Sequence, residues 1–152
     1  MKTSSTDRIQ KDVTLSAAPS RVWRAISDAA EFGQWFGVVL EGQFRAGETI
    51  RGRITCPGCE HMILRARVER MEPEHTFAMR WCPYALDPDK DYADEPTTLV
   101  EFRLAPAGAG THLSITESGF DALPAEHRSE CFIRNEGGWT EQVASIARHV
   151  DG

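Results

Sequence analysis

The alternation of apolar and polar positions divides the chain into a strand, two short helices, a long run of strands and a final helix. Ile9, Val13 and Leu15 occupy alternate positions near the N-terminus, which predicts a half-buried edge strand. Residues 20–28 follow a proline and carry apolar side chains at helical spacing, and a second helical stretch at residues 29–35 ends before a glycine. The first quarter of the chain is therefore predicted to be one strand followed by two short helices.

The middle of the chain has the period of strands. From Val38 until Ala125 no helical period stands out, while turn residues recur at short intervals, which predicts an antiparallel meander. The opposite positions are rich in arginine and glutamate, so one face of the sheet is expected to be wet. The positions predicted to face inward are Ile50, Gly52, Ile54, Cys56, Met62, Leu64, Ala66, Val68, Phe77, Met79, Trp81, Thr98, Val100, Phe102, Leu104, Leu113, Ile115 and Glu117.

A long C-terminal helix is predicted over residues 125–149, where apolar side chains recur near every 3.6 positions. Such a helix would be about 37 Å long, enough to cross a small sheet. Gly137 and Gly138 lie in its middle, and each costs about 1 kcal/mol relative to alanine. We therefore expect that their bare backbone lets a strand or a ligand come close. The chain is predicted to form a single α+β domain, residues 1–152, with six to seven antiparallel strands.

Composition narrows the classes of partner. The sequence has 23 acidic and 17 basic residues, a formal charge of -6, which disfavours a nucleic acid or an anionic membrane as partner. No apolar run approaches the roughly 20 residues of a membrane span, and the N-terminus is polar, so a cytoplasmic protein is expected. Four cysteines are too few for a disulfide framework in a chain of this length, and reduced thiols are expected.

One carboxylate stands out among the inward positions. Glu117 would be costly to bury without hydrogen-bond donors. It could act as a general acid or base, with Asn135 of the last helix as its partner, or it could be a strand-end residue bonded to backbone or solvent. Trp81 and Trp139 could either line a pocket or pack in the core, since large aromatic side chains do both.

Two further segments invite a functional reading. Cys56 and Cys59 flank Pro57 and Gly58, with His61 beside them, a pattern that could hold a soft metal, form a redox pair, or close a hairpin by a type II turn. The turn explains every residue, so we expect neither a metal nor a cofactor. The acidic segment 87–95 is predicted to be a solvated loop, with a lid over the pocket as the alternative.

Several short motifs, taken in order, resemble the activator of Hsp90 ATPase homologue 1-like family of the START-like (SRPBCC, Bet v 1-like) superfamily. They comprise residues 18–26, Trp35-Phe36, 68–73, 77–81, 98–102, 110–113, Glu117 to Phe120, and Gly138-Trp139. The resemblance implies a helix-grip fold, in which a curved antiparallel sheet wraps around the long C-terminal helix and leaves a cavity between them.

The resemblance implies a pocket more than a reaction. We expect a cytoplasmic protein, a monomer or homodimer, that holds a hydrophobic or aromatic small molecule between the sheet and the helix. The alternatives are a cofactor-independent cyclase, dehydratase or hydrolase that uses Glu117, and a stress-related or chaperone-associated regulator. The expected lining residues are Trp35, Phe44, Ile54, Met62, Leu64, Met79, Trp81, Phe102, Glu117, Asn135, Trp139 and Val143.

Overall fold

A computed structural model describes residues 7–85, 87 and 89–151 of the chain. Over those residues it contains seven strands, three α-helices and one short 3-10 helix. In chain order the elements are β1 (Arg8–Leu15), α1 (Pro19–Ser27), α2 (Ala29–Phe36), β2 (Val38–Leu40), β3 (Thr49–Ile54), β4 (Ile63–Glu72), β5 (Thr76–Trp81), β6 (Thr98–Ala107), β7 (Gly110–Ser118), the 3-10 helix Phe120–Ala122 and α3 (Ala125–Asp151).

The strands form one antiparallel sheet in the order β1-β7-β6-β5-β4-β3-β2. The predicted meander is confirmed, and β1 lies at an edge, as its alternation indicated. The predicted inward faces are confirmed along β3 to β7, with a bulge between Val68 and Arg70 that shifts the register of β4. Cys56 and Met62 are the exceptions, because β3 ends at Ile54 and β4 begins only at Ile63, so Cys56 lies exposed and Met62 partly exposed in the connection between them.

The helices cover the inner face of the sheet. The left-handed backbone of Gly37, with φ of 91°, ends α2. Helix α3 runs for 27 residues and is fixed at its C-terminal end, where the Asp151 carboxylate accepts the backbone N–H groups of Ser16 and Ala17, each at 2.9 Å. Closer to its middle, the Ser145 hydroxyl donates to the carbonyl of Trp35 at 2.6 Å. These contacts place α3 against the end of β1 and the end of α2.

Aromatic rings fill much of the space between the sheet and the helices. Phe32 contacts Trp35, Phe44 and Phe102, with ring centroids 4.8, 5.3 and 6.3 Å apart, and Phe77 stacks on Phe102 at 6.0 Å. All five side chains are buried. The expected lining residues Trp35, Phe44 and Phe102 are therefore core residues, because the rings contributed by α2 pack directly on the sheet.

Candidate functional site

Glu117 lies at the centre of a polar cluster within the apolar interior. It is 0% exposed, and side chains of three other elements or segments converge on it. Its Oε1 accepts the indole N–H of Trp139 at 2.8 Å and the amide of Asn135 at 3.0 Å. Its Oε2 accepts the indole N–H of Trp81 at 2.8 Å and the hydroxyl of Thr98 at 2.5 Å. We call Glu117 and these four donors the carboxylate cluster.

The carboxylate cluster joins β5, β6 and β7 to the middle of α3. Both carboxylate oxygens accept at least two hydrogen bonds each, which matches the acceptor capacity of a carboxylate group. The sequence offered Asn135 as the partner of Glu117 in one of two interpretations, and the structure brings the two side chains together. Thr98 was predicted to face inward but not to belong to the site, although its place near the start of the strand beside Glu117 was the signal that could have found it.

Two tryptophans of the cluster stack on each other. The rings of Trp81 and Trp139 are 5.9 Å apart and nearly parallel, and the ring of Phe36 lies 6.0 Å from the first and 6.1 Å from the second. The cavity expected between sheet and helix is therefore occupied at this point by indole rings. Phe36 itself is only partly buried, so the stack has one side close to the surface.

The two mid-helix glycines do not meet a strand. A Cβ added to Gly137 or to Gly138 would find no atom within 4 Å outside the local helix. The expectation that a strand approaches them is wrong, because α3 packs at this level through larger neighbours. Gly138 is partly buried and lies between Asn135 and Gln142, both of which bond to the body of the protein. The face of α3 at Gly138 is therefore open.

The remaining expected lining residues divide by exposure. Met79 belongs to the buried core together with the aromatic residues described above. Ile54, Met62, Leu64, Asn135 and Val143 are partly exposed. Ile54 and Leu64 lie on the inner faces of the paired strands β3 and β4, close to the turn that joins these strands. Both side chains are only partly covered there.

The cysteine motif forms the predicted turn. The N–H of Cys59 donates to the carbonyl of Cys56 at 2.8 Å, and Gly58 has φ of 87°, as the third position of a type II turn requires. Cys56 and Cys59 are free thiols. Within the described part of the chain, no three histidine, cysteine, aspartate or glutamate side chains are grouped so as to hold a metal ion.

A cavity of about 770 Å³ lies on the outer face of the sheet. Arg65, Arg67 and Arg80 line it from β4 and β5, and residues 89–93 of the β5–β6 connection line it from the other side. Asp89, Asp91, Asp94 and Glu95 are exposed, as expected of a solvated loop. Residues 89–93 border this outer cavity and not the space between the sheet and α3, where the alternative placed a lid. Sequence reasoning placed the arginines on the wet face of the sheet and did not find the cavity, because its second wall is an irregular loop.

The amino-acid sequence matches a known protein family over most of its length. The family model described as "Activator of Hsp90 ATPase homolog 1-like protein" matches residues 16–151. The chain belongs to this family. Its seven-stranded sheet and long C-terminal helix are the helix-grip fold of the START-like superfamily, as the sequence motifs implied. No curated protein matches the sequence of this family member.

Solved structures agree with that fold. The Arthrobacter aurescens protein is 15% identical, with a TM-score of 0.80 over 99% of this chain and 90% of its own. The Aha1 dimer from Colwellia psychrerythraea is 15% identical, with a TM-score of 0.72 over 94% of this chain and 95% of its own. DynU16, a protein of the dynemicin biosynthetic locus, is 21% identical with a TM-score of 0.72; the match covers 95% of this chain and 47% of DynU16.

Membrane insertion through a helix finds no support in the described residues. Helix α3 is long, but neither it nor another helix in those ranges has an apolar stretch sufficient to cross a bilayer.

Proposed function

We propose that this protein is a non-catalytic binding protein that holds a small hydrophobic or aromatic molecule against α3 at Gly138. The observation that carries the proposal is that Gly138 is partly buried although the space at its Cβ position is open, whereas Gly137 is exposed. Gly138 shares a helical stripe with Asn135 and Gln142, since residues three and four apart lie on one face. The amide of Asn135 reaches Glu117 at 3.0 Å and that of Gln142 reaches the carbonyl of Phe36 at 2.9 Å, yet between them no atom outside the local helix lies within 4 Å of the Cβ position of Gly138.

We propose that the apolar part of the ligand contacts four side chains between the sheet and α3. Phe36, Ile54, Leu64 and Val143 are partly buried and pack against the core. Each leaves part of its apolar surface uncovered, and binding sites for small molecules are mostly apolar with a few fixed polar groups. The carboxylate cluster holds the middle of α3 against the sheet beside this opening, and the partly buried ring of Phe36, which borders the Trp81–Trp139 pair, supplies aromatic surface.

Catalysis by Glu117 is the less supported alternative. A general acid or base has to reach the proton it transfers. Both oxygens of Glu117 are engaged by four donor side chains, and the side chain is fully buried. A cyclase, dehydratase or hydrolase acting through this carboxylate would first have to break the cluster, whereas a binding protein uses it unchanged to hold α3 at a fixed distance from the sheet.

The test is a pair of substitutions in neighbouring glycines. Gly138→Leu places an apolar side chain in the proposed site, and Gly137→Leu places the same side chain on the exposed side of the helix. The probe is N-phenyl-1-naphthylamine, an uncharged aromatic dye whose fluorescence rises in apolar surroundings. We expect the Gly138→Leu protein to bind the dye at least about tenfold more weakly, the loss that corresponds to 1.4 kcal/mol.

The Gly137→Leu protein is the matched control and should bind the dye as the wild type does. Neither leucine has a neighbour to displace at its Cβ, and each replaces a mid-helix glycine. The free energy of unfolding of both variants should therefore equal that of the wild type or exceed it by up to about 1 kcal/mol. Equal dye binding by the two variants would contradict the proposal. Unfolding of the Gly138→Leu protein alone would show that the helix face is not open.

The natural ligand can be sought in the same protein. Native mass spectrometry of protein purified without chelators should show an organic adduct of the wild type that is missing from the Gly138→Leu variant. The same spectra give the oligomeric state. We propose a monomer or a homodimer, and the dimeric relative from Colwellia psychrerythraea supports the second possibility.

A further inference from the structure

The outer face of β3, β4 and β5 concentrates positive charge. Cross-strand pairing sets Arg51 directly opposite Arg65, and Arg67 directly opposite Arg80. Like charges in opposite positions of an antiparallel pair destabilise it, because the side chains stand about 5 Å apart at their Cβ atoms. The chain as a whole carries a formal charge of -6, so this positive surface is a local feature with an energetic cost that the fold itself does not explain.

Internal carboxylates neutralise only part of this charge. Glu41 lies 2.8 Å from Arg51, and Glu69 lies 3.6 Å from Arg80. Arg65 and Arg67 are different: among the described residues, neither has a carboxylate within 4.0 Å. These two guanidinium groups line the outer cavity of about 770 Å³.

The opposite wall of this cavity is the β5–β6 connection, whose start is anchored to α3. The ring of Tyr84 stacks on His127 with centroids 4.0 Å apart, and its hydroxyl donates to Glu95 at 3.0 Å. Arg134 of α3 donates to the carbonyl of Pro83. Residues 89–93 of the connection line the cavity on the side opposite the arginines, so its two walls differ in chemistry.

The wall formed by the β5–β6 connection has both an aromatic side chain and negatively charged side chains. Tyr92 lines the cavity, as do Asp89, Lys90 and Asp91. The Asp91 carboxylate accepts the backbone N–H of Ala93 at 2.9 Å, a bond within the loop. Unlike Glu69, neither aspartate comes within 4.0 Å of an arginine in the described residues. The space between the arginines and the aspartates is wide enough for a further group.

We propose that the outer cavity is a binding site for a small organic anion, a carboxylate or a phosphate monoester, whose oxyanion is held by Arg65 and Arg67. The planar guanidinium group matches carboxylate and phosphate oxygens with two parallel hydrogen bonds. A ring or chain attached to the anion would lie along Tyr92. The cavity volume falls in the range of small-molecule sites. This site is on the other face of the sheet from the opening at Gly138 and does not depend on it.

The experiment is a titration of isotopically labelled protein with benzoate, with phenyl phosphate and with benzyl alcohol, followed by backbone amide chemical shifts. We expect both anions to move the signals of Thr49, Arg67, Tyr92 and Ala93, and the uncharged alcohol to leave them in place. A preference between benzoate and phenyl phosphate would distinguish a carboxylate site from a phosphate site. Binding should weaken as salt rises, because exposed charges are screened.

Two double variants with the same change in net charge separate the site from a general charge effect. Arg65→Gln/Arg67→Gln should weaken anion binding about tenfold or more, since two charge-assisted contacts are lost. Arg53→Gln/Arg103→Gln removes two outward-facing arginines that do not line the cavity and should stay within about twofold of the wild type.

The aspartates provide a change in the opposite direction. Asp89→Asn/Asp91→Asn removes two negative charges from the cavity wall and should tighten anion binding a few-fold. The proposal is overturned if benzyl alcohol moves the same signals as the anions, if no signal at the cavity moves with either anion, or if the Arg65→Gln/Arg67→Gln protein binds benzoate and phenyl phosphate as the wild type does.

Discussion

At the scale of single residues, burial of Glu117 depends on its donors. A carboxylate placed in an apolar interior without hydrogen bonds is strongly unfavourable. Here Trp81, Thr98, Asn135 and Trp139 supply donors at 2.5 to 3.0 Å, and the two indole groups in turn have a buried acceptor for their N–H. Removing either side of this arrangement leaves buried polar atoms without partners.

We predict that Glu117→Gln lowers the free energy of unfolding by about 2–4 kcal/mol. The new amide nitrogen cannot accept, so donors that faced one carboxylate oxygen lose their acceptor, and each unsatisfied buried group costs about 1–3 kcal/mol. Urea denaturation measures the change. The control is Glu101→Gln, whose partner Arg103 lies 3.1 Å away on the exposed face, and its effect should stay below about 1 kcal/mol. Equal midpoints for the two variants would contradict a structural role for the cluster.

At the scale of elements, one carboxylate joins all three helices. Glu31 of α2 accepts from Arg21 and Arg24 of α1, each at 2.7 Å, and lies 2.8 Å from the Nε2 atom of His149 in α3. Burial raises the pKa of Glu31, but the hydrogen bonds from His149, Arg21 and Arg24 outweigh it and lower that pKa to about 2. The ionised form is therefore favoured in the folded protein.

This shift predicts how stability changes with acid. The pKa of Glu31 in the folded protein is below the unfolded value of about 4.3. Its contribution to the free energy of unfolding is therefore complete above about pH 4.3 and is lost as the pH falls toward 2. We expect the ionised Glu31 to contribute on the order of 1–2 kcal/mol to the free energy of unfolding. This is less than the full pKa shift implies, because Arg24 is well exposed and solvent screens the interaction. Thermal denaturation between pH 5 and pH 2 measures how the melting temperature falls with pH, and Glu31→Gln should make that fall less steep. Glu136→Gln, which alters an exposed pair with Lys11, should not.

At the scale of the whole molecule, the sheet separates two environments. Its inner face carries the aromatic core and the carboxylate cluster, and its outer face carries arginines and a cavity. The four free thiols differ in solvent access, since Cys56 is exposed and Cys131 is buried against the core.

We predict that the thiols react with 5,5'-dithiobis(2-nitrobenzoate) in separate phases. Cys56 should react first, because its hydrogen bond with Cys59 raises the pKa of the latter thiol and lowers its thiolate fraction. Burial raises the pKa of Cys131 and blocks access, so this thiol should react only when α3 opens. Cys56→Ser should remove the fastest phase. Labelling of Cys131 at the rate of Cys56 would show that α3 detaches without global unfolding.

Much of the fold could be predicted from local pattern. The alternation at Ile9 and Leu15, the glycine that ends α2 and the turn at Pro57-Gly58 each encode their structure within a few residues. Cys56 shows the limit of that pattern, since alternation assigned it to the inner face although the strand had already ended.

The sequence by itself determined the order of strands and helices, the core face of each strand and the family to which the chain belongs, because periodicity and motif order are local properties. Only the tertiary structure decided that four donors from separate segments meet at Glu117, that the helix face at Gly138 stays open, and that Arg65 and Arg67 share a cavity with a loop. Those outcomes depend on the packing of α3, on strand register and on the path of an irregular connection, and none of these is written in the spacing of apolar residues.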